Sequence, residues 1–268
     1  MPPSAIVLSL VIPAWNEAAG IQRAIIEATE AFDELGWDHE ILVVDDGSTD
    51  GTAEQVEEIA SLRSHIRVVR HSRNLGYGAA LRTGFQAARG EFVGFTDADS
   101  QFYPQDFERL LPHAHQFPVV VGRRIDRQDP PLRRFYSWGY NRLVRWLLDT
   151  GVRDCDCAMK IFRREALLHL LPESPNYFAN AEMLCRARRL GMPIAEVGVR
   201  HRARAVGESK VSLRAIPQTL ARLLPFWMNE VVRARRPEPV VLVRDVEPPL
   251  AITRKTRKVT RILPLHPK

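Results

Sequence analysis

Cysteine is scarce in this chain, with Cys155, Cys157 and Cys185 the only three among 268 residues. An odd set with one Cys-x-Cys pair supplies neither a disulfide framework nor the ligand spacing of a zinc site. A reducing, cytosolic setting is expected from it. Long apolar runs are missing too, since no stretch reaches the roughly 18 consecutive apolar residues of a membrane-spanning helix. The apolar segment Ile6 to Trp15 has no basic lead-in and no small-residue cleavage site, and it runs straight into Asn16-Glu17, so it reads as a buried strand. There is no internal repeat, no Walker A sequence and no His-Glu-x-x-His, and Gly76-x-Gly78 falls short of a dinucleotide fingerprint. With 45% of residues hydrophobic and 26% charged, wholesale disorder, collagen-like and coiled-coil classes are excluded. The length suits one large domain with a short appendage.

What the chain does have is positive charge, +6 net, which points to an anionic partner. The charge is unevenly placed. Functional-looking acids concentrate before about Asp106, whereas Arg and Lys crowd 123–164, 186–236 and 254–261. A site with an acidic half and a basic half follows.

Ile6 to Ile12 and Glu40 to Val44 are short branched apolar runs of the kind buried on both faces of a parallel sheet. Between them Glu17 to Leu35 has near-helical apolar spacing, and Gly36 stops it. The alternation continues with Thr52 to Leu62 as helix, Ile66 to Arg70 as strand, Gly78 to Ala88 as helix and Phe92 to Thr96 as strand. A layered α/β fold with a mostly parallel central sheet is the expectation. Beyond Phe107 the signal weakens: Val119 to Gly122 and Ile194 to Val199 read as strands, Leu132 to Leu148 and Ala181 to Leu190 as helices. Residues 212–236 read as two short amphipathic helices broken by Pro217 and Pro225. Residues 237–268 read as a proline-punctuated basic tail with a faint strand signal at Val240 to Val243, which leaves 1–211 as the main domain. His113 and His115 read as surface residues of a loop.

Ligands bind such folds at the carboxyl ends of the strands. The loops after the first, second and fourth strands read Pro13-Ala14-Trp15-Asn16-Glu17, Asp45-Asp46-Gly47-Ser48 and Asp97-Ala98-Asp99-Ser100-Gln101. Two acids and an amide at one strand end form an oxygen-rich site for a hard divalent cation, magnesium or manganese, shared with substrate phosphates. An isolated Asp-x-Asp is often no more than a turn, but three acid-rich strand ends converging here favour the ligand site.

Together with Val11-Ile12 before Pro13, Val43-Val44 before the second acid pair, Thr49-Asp50-Gly51-Thr52 after Ser48, and Asn74-Leu75-Gly76-Tyr77-Gly78-Ala79-Ala80, these motifs resemble glycosyltransferase family 2, across roughly residues 6–211. The resemblance implies a GT-A fold and a nucleotide-sugar donor. Ser100-Gln101, Gly122-Arg123-Arg124, the segment from Asp154 to Arg164, and Arg204-Ala205-Val206-Gly207-Glu208-Ser209-Lys210 resemble its polyprenyl-phosphate branch, the dolichyl-phosphate mannosyltransferase type. It implies a nucleotide site at Pro13, Trp15, Glu17, Asp45, Asp46, Asp97 and Ala98, and a metal (Mg2+ or Mn2+) at Asp99 and Gln101. Asp97, Asp99, Arg204 and Lys210 are the implied catalytic residues. Arg124, Arg133 and Ser137 match the acceptor-phosphate positions, and Arg204, Gly207, Ser209 and Lys210 match a mobile loop near the diphosphate. Two departures stand out: Trp15 where the family usually has tyrosine, and Cys155-Asp156-Cys157-Ala158-Met159 where the branch usually has a small-Gly-aromatic segment.

The implied activity is a metal-dependent, inverting transfer of mannose or glucose from a GDP- or UDP-hexose to a polyprenyl phosphate. A phosphate monoester is largely dianionic at neutral pH and needs no general base. A saccharide or other hydroxyl acceptor is the enzymatic alternative, and Asp154, Asp156 and Glu182 are then the candidate bases. A nucleic-acid-binding protein is the non-enzymatic alternative, but acids at three strand ends would repel a phosphate chain and no nucleic-acid motif is visible. Trp138, Tyr140 and Trp146 among Arg142 and Arg145, with the helices of 212–236, suit either core packing or an interfacial helix, so peripheral attachment at the cytosolic face of a membrane is expected without a spanning segment.

Overall fold

A computed structural model describes residues 6–126, 128, 131–204, 223–232 and 241–244, without the side chains of 131–133 and 230. Four strands alternate with three helices in the first part: β1 (Leu8–Ala14), α1 (Ile21–Leu35), β2 (His39–Asp45), α2 (Thr52–Leu62), β3 (Ile66–Arg70), α3 (Tyr77–Ala87) and β4 (Phe92–Phe95). All seven residues of β1 are buried, and so are six of the seven of β2. This is the signature of strands covered by helices on both faces, as their unbroken apolar runs implied. α1 ends at Gly36, as read from the sequence.

The sheet has eight strands in the order β3-β2-β1-β4-β6-β5-β7-β8, with β5 (Val119–Ile125), β6 (Lys160–Arg163), β7 (Ile194–Arg200) and β8 (Leu242–Arg244) completing it. It is parallel except around β6, which runs antiparallel to both β4 and β5. The chain moves outward from β1 to β3 and then returns to place β4 on the other side of β1. A crevice therefore opens at the carboxyl ends of β1 and β4, the point where the winding reverses. Pro13 is tolerated in a central strand because its side of β1 faces β4, and that ladder ends at Val11 and Phe95.

The remaining helices are α4 (Phe107–Ala114), α5 (Pro131–Leu148), the short α6 (Arg164–Leu167) and α7 (Ala179–Arg189). Four expectations change. β6 was not foreseen, because its first residue, Lys160, is charged and yet buried. α4 was not foreseen either, and His113 lies buried within it rather than on a surface loop. Pro225 does not separate two helices: a helical run passes through it from Leu223 into a π-helical turn at Trp227–Val232. Leu242–Arg244, inside the stretch read as a tail, pairs with β7 at the sheet edge.

Glycine matters where two loops must touch. A β-carbon on Gly78, in the first turn of α3, would lie 2.0 Å from the Ser174 carbonyl oxygen, and the Gly78 N–H donates to the Pro175 carbonyl at 2.8 Å. The loop before α7 is thus docked on the amino end of α3. Gly78→Ala should cost about 1–3 kcal/mol of stability by forcing the two apart, measurable by urea unfolding.

Candidate functional site

The three acid-bearing loops are laced together by side chains that the motifs carry. The N–H groups of Asn16, Glu17 and Ala18 donate to Ser48 Oγ (2.9 Å), Thr52 Oγ1 (2.9 Å) and Asp50 Oδ2 (3.0 Å), and the Thr49 N–H donates back to Asn16 Oδ1 at 2.9 Å. Buried backbone donors need such partners. Asn16 and Ser100 hold left-handed backbones, φ 51° and 55°, at the first and fourth strand ends. Residues in that region are costly and persist where surrounding contacts fix them.

Asp45 is fully buried, accepts weakly from the Ser48 N–H and lies 3.4 Å from Arg70 Nε. Asp46 has a different task from the one expected of it. Its carboxylate accepts from His71 Nδ1 (2.7 Å), the Leu75 N–H (2.9 Å) and the Gly76 N–H (2.8 Å), so it anchors the loop before α3. Gly47 makes this possible: at φ 70° its missing β-carbon would lie 2.3 Å from the Arg73 backbone.

That loop delivers Tyr77, whose hydroxyl donates to Asp97 Oδ1 at 3.1 Å. Burial first, and then the neighbouring charge of Asp99, push the Asp97 carboxyl up to about 7. Asp99 accepts from the Gln101 N–H at 3.1 Å and from Arg204 Nη2 at 3.0 Å, and the same Arg204 nitrogen lies 3.8 Å from Glu17. Arg204 is brought there by a strap after β7. The Arg202 N–H donates to the Gln101 carbonyl at 2.9 Å, Phe102 bridges to His201, and the guanidinium groups of Arg200 and Arg202 lie 4.6 and 4.7 Å from the centre of the Tyr103 ring. Two crowded carboxylates beside an amide form a hard-oxygen donor set, which fits a magnesium or manganese ion completed by water and phosphate oxygens. Trp15 stands half-exposed at the end of β1 and Ala98 is buried beside the acids.

The basic side differs from expectation at one residue. Arg124 forms a bidentate pair with Asp154, Nε to Oδ2 at 2.8 Å and Nη2 to Oδ1 at 2.7 Å, both side chains 8% exposed. Burial alone would favour the neutral guanidine, but the Asp154 carboxylate more than reverses this and holds Arg124 charged. Its phosphate-binding edge is committed within the protein. Beside it an open groove of about 580 Å3 is lined by Arg123, Arg124, Ile125, Asp126, Gln128 and Arg134. Ser137 lies one turn further along α5, where its carbonyl accepts from Asn141 at 2.8 Å. The Arg133 side chain and Gly207, Ser209 and Lys210 lie outside the described residues. Tyr77, Tyr177, His71 and Lys160 were not singled out by sequence reasoning; the Asn-Leu-Gly-Tyr-Gly motif contained the signal for Tyr77 without its role.

Strand order and the layering of helices on both faces of the sheet are those of a GT-A fold. The chain belongs to glycosyl transferase family 2, whose description matches residues 9–171. It is 33% identical over 217 residues to an undecaprenyl-phosphate 4-deoxy-4-formamido-L-arabinose transferase of Aeromonas hydrophila, an alignment covering 77% of this chain and 63% of that protein. The chain thus spans less than two thirds of this relative's length. In fold it resembles glucosyl-3-phosphoglycerate synthase of Mycobacterium tuberculosis. The complex with Mn2+, UDP and glucosyl-3-phosphoglycerate aligns at a TM-score of 0.65 and 23% identity, covering 87% of this chain and 82% of that one. The complex with Mg2+ and UDP aligns at 0.64 and 22%, with the same coverage.

Because the folded Asp97 holds its proton more tightly than an unfolded aspartate, its ionisation opposes folding, and stability from this group falls as pH rises from the ordinary carboxylate range to about 7. In metal-free protein Asp97→Asn should therefore raise the thermal midpoint at about pH 8, with the gain shrinking toward about pH 4. Scanning calorimetry across pH checks it, and an unchanged midpoint at high pH would contradict the burial argument.

Proposed function

We propose that the protein transfers a hexose, mannose or glucose, from a GDP- or UDP-linked donor to a polyprenyl phosphate, with inversion and with a divalent metal. The observation that carries this reading is the meeting of Asp97, Asp99 and Arg204 at the β1/β4 crevice. The name of the Aeromonas relative, a transferase to undecaprenyl phosphate, supports the acceptor class. The nucleotide lies along Pro13, Trp15, Glu17, Asp45, Asp97 and Ala98, with Asp46 acting through the loop it anchors. Asp99 and Gln101 hold the metal, which when bound offsets the charge of the departing nucleoside diphosphate. Arg204, together with Lys210, adds cationic charge against the same leaving group. The acceptor's phosphate oxygen forms the new bond to the anomeric carbon as the bond to the nucleoside diphosphate breaks, and one in-line displacement inverts the configuration. Arg133, Arg134, Arg123 and Ser137 are the groups for the acceptor phosphate, with Arg124 positioning Asp154 beneath them.

A second reading is favoured by one feature. If the acceptor is a hydroxyl, a base is needed, and two of the three candidates are committed. Asp154 is chelated by Arg124, and Glu182 accepts from the N–H groups of Glu173 (2.8 Å) and Ser174 (2.9 Å). Asp156 remains, its carboxyl pushed up to about 6 by burial.

Transfer from radiolabelled GDP- and UDP-hexoses to undecaprenyl phosphate in detergent, with and without manganese, tests the reading. Asp99→Ala should lower transfer by about a hundredfold or more and remove metal-dependent nucleotide binding. Undiminished transfer by a folded variant would remove its role, and transfer only to hydroxyl acceptors, abolished by Asp156→Asn, would favour the second reading.

Peripheral attachment at the cytosolic face belongs to the same proposal. No helix among the described residues is long and apolar enough to cross a membrane. Phe135, Trp138 and Trp146 form an exposed stripe on α5, 64%, 56% and 79% accessible, while Val144 and Leu148 of the same helix are buried. Arg142 lies over the Trp138 ring at 5.9 Å. The protein should co-sediment with anionic liposomes in a partly salt-sensitive manner, each basic residue near the surface adding about 1 kcal/mol. Trp138→Ser with Trp146→Ser should abolish it, and a protein that stays in the supernatant with anionic and neutral vesicles alike argues against attachment.

A further inference from the structure

We infer that Tyr177 is the aromatic wall against which the transferred sugar packs and the residue that discriminates between sugars, an inference that rests on the donor reading above. Tyr177 lies on the loop between α6 and α7, and this loop is held from three sides. Glu182 accepts from the N–H groups of Glu173 and Ser174, Asn176 Oδ1 accepts from the Phe178 N–H at 3.1 Å, and Pro175 is clamped onto Gly78. Arg186 in turn pairs with Glu182 at 3.1 Å. A side chain on so fixed a loop is preorganised, as a sugar-binding group must be.

One face of the Tyr177 ring lies against Tyr77, with centroids 4.9 Å apart and planes 33° apart. Tyr77 is itself held to Asp97 through its hydroxyl. Tyr177 as a whole keeps 37% of its surface exposed, so the ring is backed by Tyr77 and still reachable from solvent. The charges felt by the Tyr177 hydroxyl are those of Asp97, Arg204, Glu17 and Asp99, the same four groups that define the donor centre. Burial, with those carboxylates, pushes the phenol up to about 12, which leaves it a neutral hydrogen-bond donor at working pH.

The positions of the two exposed aromatics divide the donor between them. Trp15 stands at the end of β1, on the nucleotide side. Tyr177 stands against Tyr77, one ring away from Asp97, so in the proposed donor complex it is next to the acid pair on which the diphosphate ends. A pyranose presents C–H groups on its faces and hydroxyls on its edge. The electron-rich face of a phenol suits the former, and its O–H can distinguish an axial from an equatorial hydroxyl. The phosphate centre binds any nucleoside diphosphate, so discrimination between epimers requires a group outside it.

The test uses the full chain with manganese, comparing Tyr177→Phe, Tyr177→Ala and Tyr177→Leu with the unaltered protein. Calorimetry is run with UDP and GDP, then with UDP-glucose, UDP-galactose and GDP-mannose, and transfer to undecaprenyl phosphate is measured for each sugar. Tyr177→Ala and Tyr177→Leu should leave nucleoside diphosphate affinity within about twofold, weaken nucleotide-sugar affinity about tenfold, and flatten the preference between epimers by about tenfold. Tyr177→Phe should keep the affinity and lose part of the preference. Tyr177→Leu keeps bulk, so it stands in if the alanine variant does not fold. Equal weakening of nucleoside diphosphate and nucleotide sugar, or an unchanged epimer ratio in variants that still transfer, would overturn the role of Tyr177 alone. Absence of any nucleotide-sugar binding by the unaltered protein would overturn the donor reading, and this inference with it.

Discussion

The carboxylate of Asp46 is the joint on which the donor side of the molecule depends. It sits immediately past β2 with 3% of its surface exposed, and three donors converge on it from a loop 25 to 30 residues away in sequence. Removing that charge would leave the Leu75 and Gly76 N–H groups without their acceptor at the point where α3 begins, and a buried donor without an acceptor is costlier than the bond is valuable. From Gly76 the chain enters α3, whose first residue, Tyr77, reaches Asp97. His71 extends the joint, since its other ring nitrogen lies 2.9 Å from Thr83 Oγ1 on α3. An acid at the second strand end thereby fixes the tyrosine that meets the acid at the fourth.

The rest of the site consists of charges handled in two ways. On the donor side, carboxylates are buried and crowded together, and burial first, then the charge of Asp99, raises Asp97. On the side of β5 and β6, buried charge is held by close partners, an opposite charge for Arg124 and neutral acceptors for Lys160. Arg124 grips Asp154, and Lys160, wholly buried, donates to the Cys157 carbonyl (2.5 Å) and Asn180 Oδ1 (2.9 Å) while its ammonium lies 5.0 Å from the centre of the Phe95 ring. Burial lowers the affinity of Lys160 for its proton, and the surrounding Cys157, Cys155, Asp156 and Asp154 oppose that shift. Breaking a matched buried pair leaves an uncompensated charge, so this half is built to keep its shape.

The contrast explains what could be read from the sequence. β1, β2 and β4 were legible because helices cover both their faces and their apolar runs are unbroken, and the three acid-rich loops followed from that order. β6 was not legible, because a strand that opens with lysine breaks the apolar pattern that marks buried strands. Nor could the pairing of Arg124 be read: arginine in a basic stretch looks like a phosphate ligand until the fold brings Asp154 to it from thirty residues away. Ser48, Asp50 and Thr52 were visible as a motif, yet their work of holding the loop at Asn16 to Ala18 is a tertiary fact. Tyr177 escaped for a similar reason, since nothing in its neighbourhood of sequence places it beside Asp97.

The two faces of α5 follow from the same economy of burial. Tyr140, Leu143, Val144, Leu147 and Leu148 pack on the core, so the core reading of this helix and the interfacial one describe opposite sides of one element. Phe135 and Trp138 stack with ring centroids 6.1 Å apart on the outer side, next to Arg134 at the mouth of the groove above β5. In the proposed reaction a polyprenyl phosphate has to present an anion and an apolar chain together, and this is where the surface offers a basic groove and an aromatic stripe side by side. In the same proposal the donor is held by the loops after β1, β2 and β4, where Trp15 is exposed, and the acceptor by the groove that Arg123 and Arg134 line beside β5, so different elements of one sheet take the two substrates.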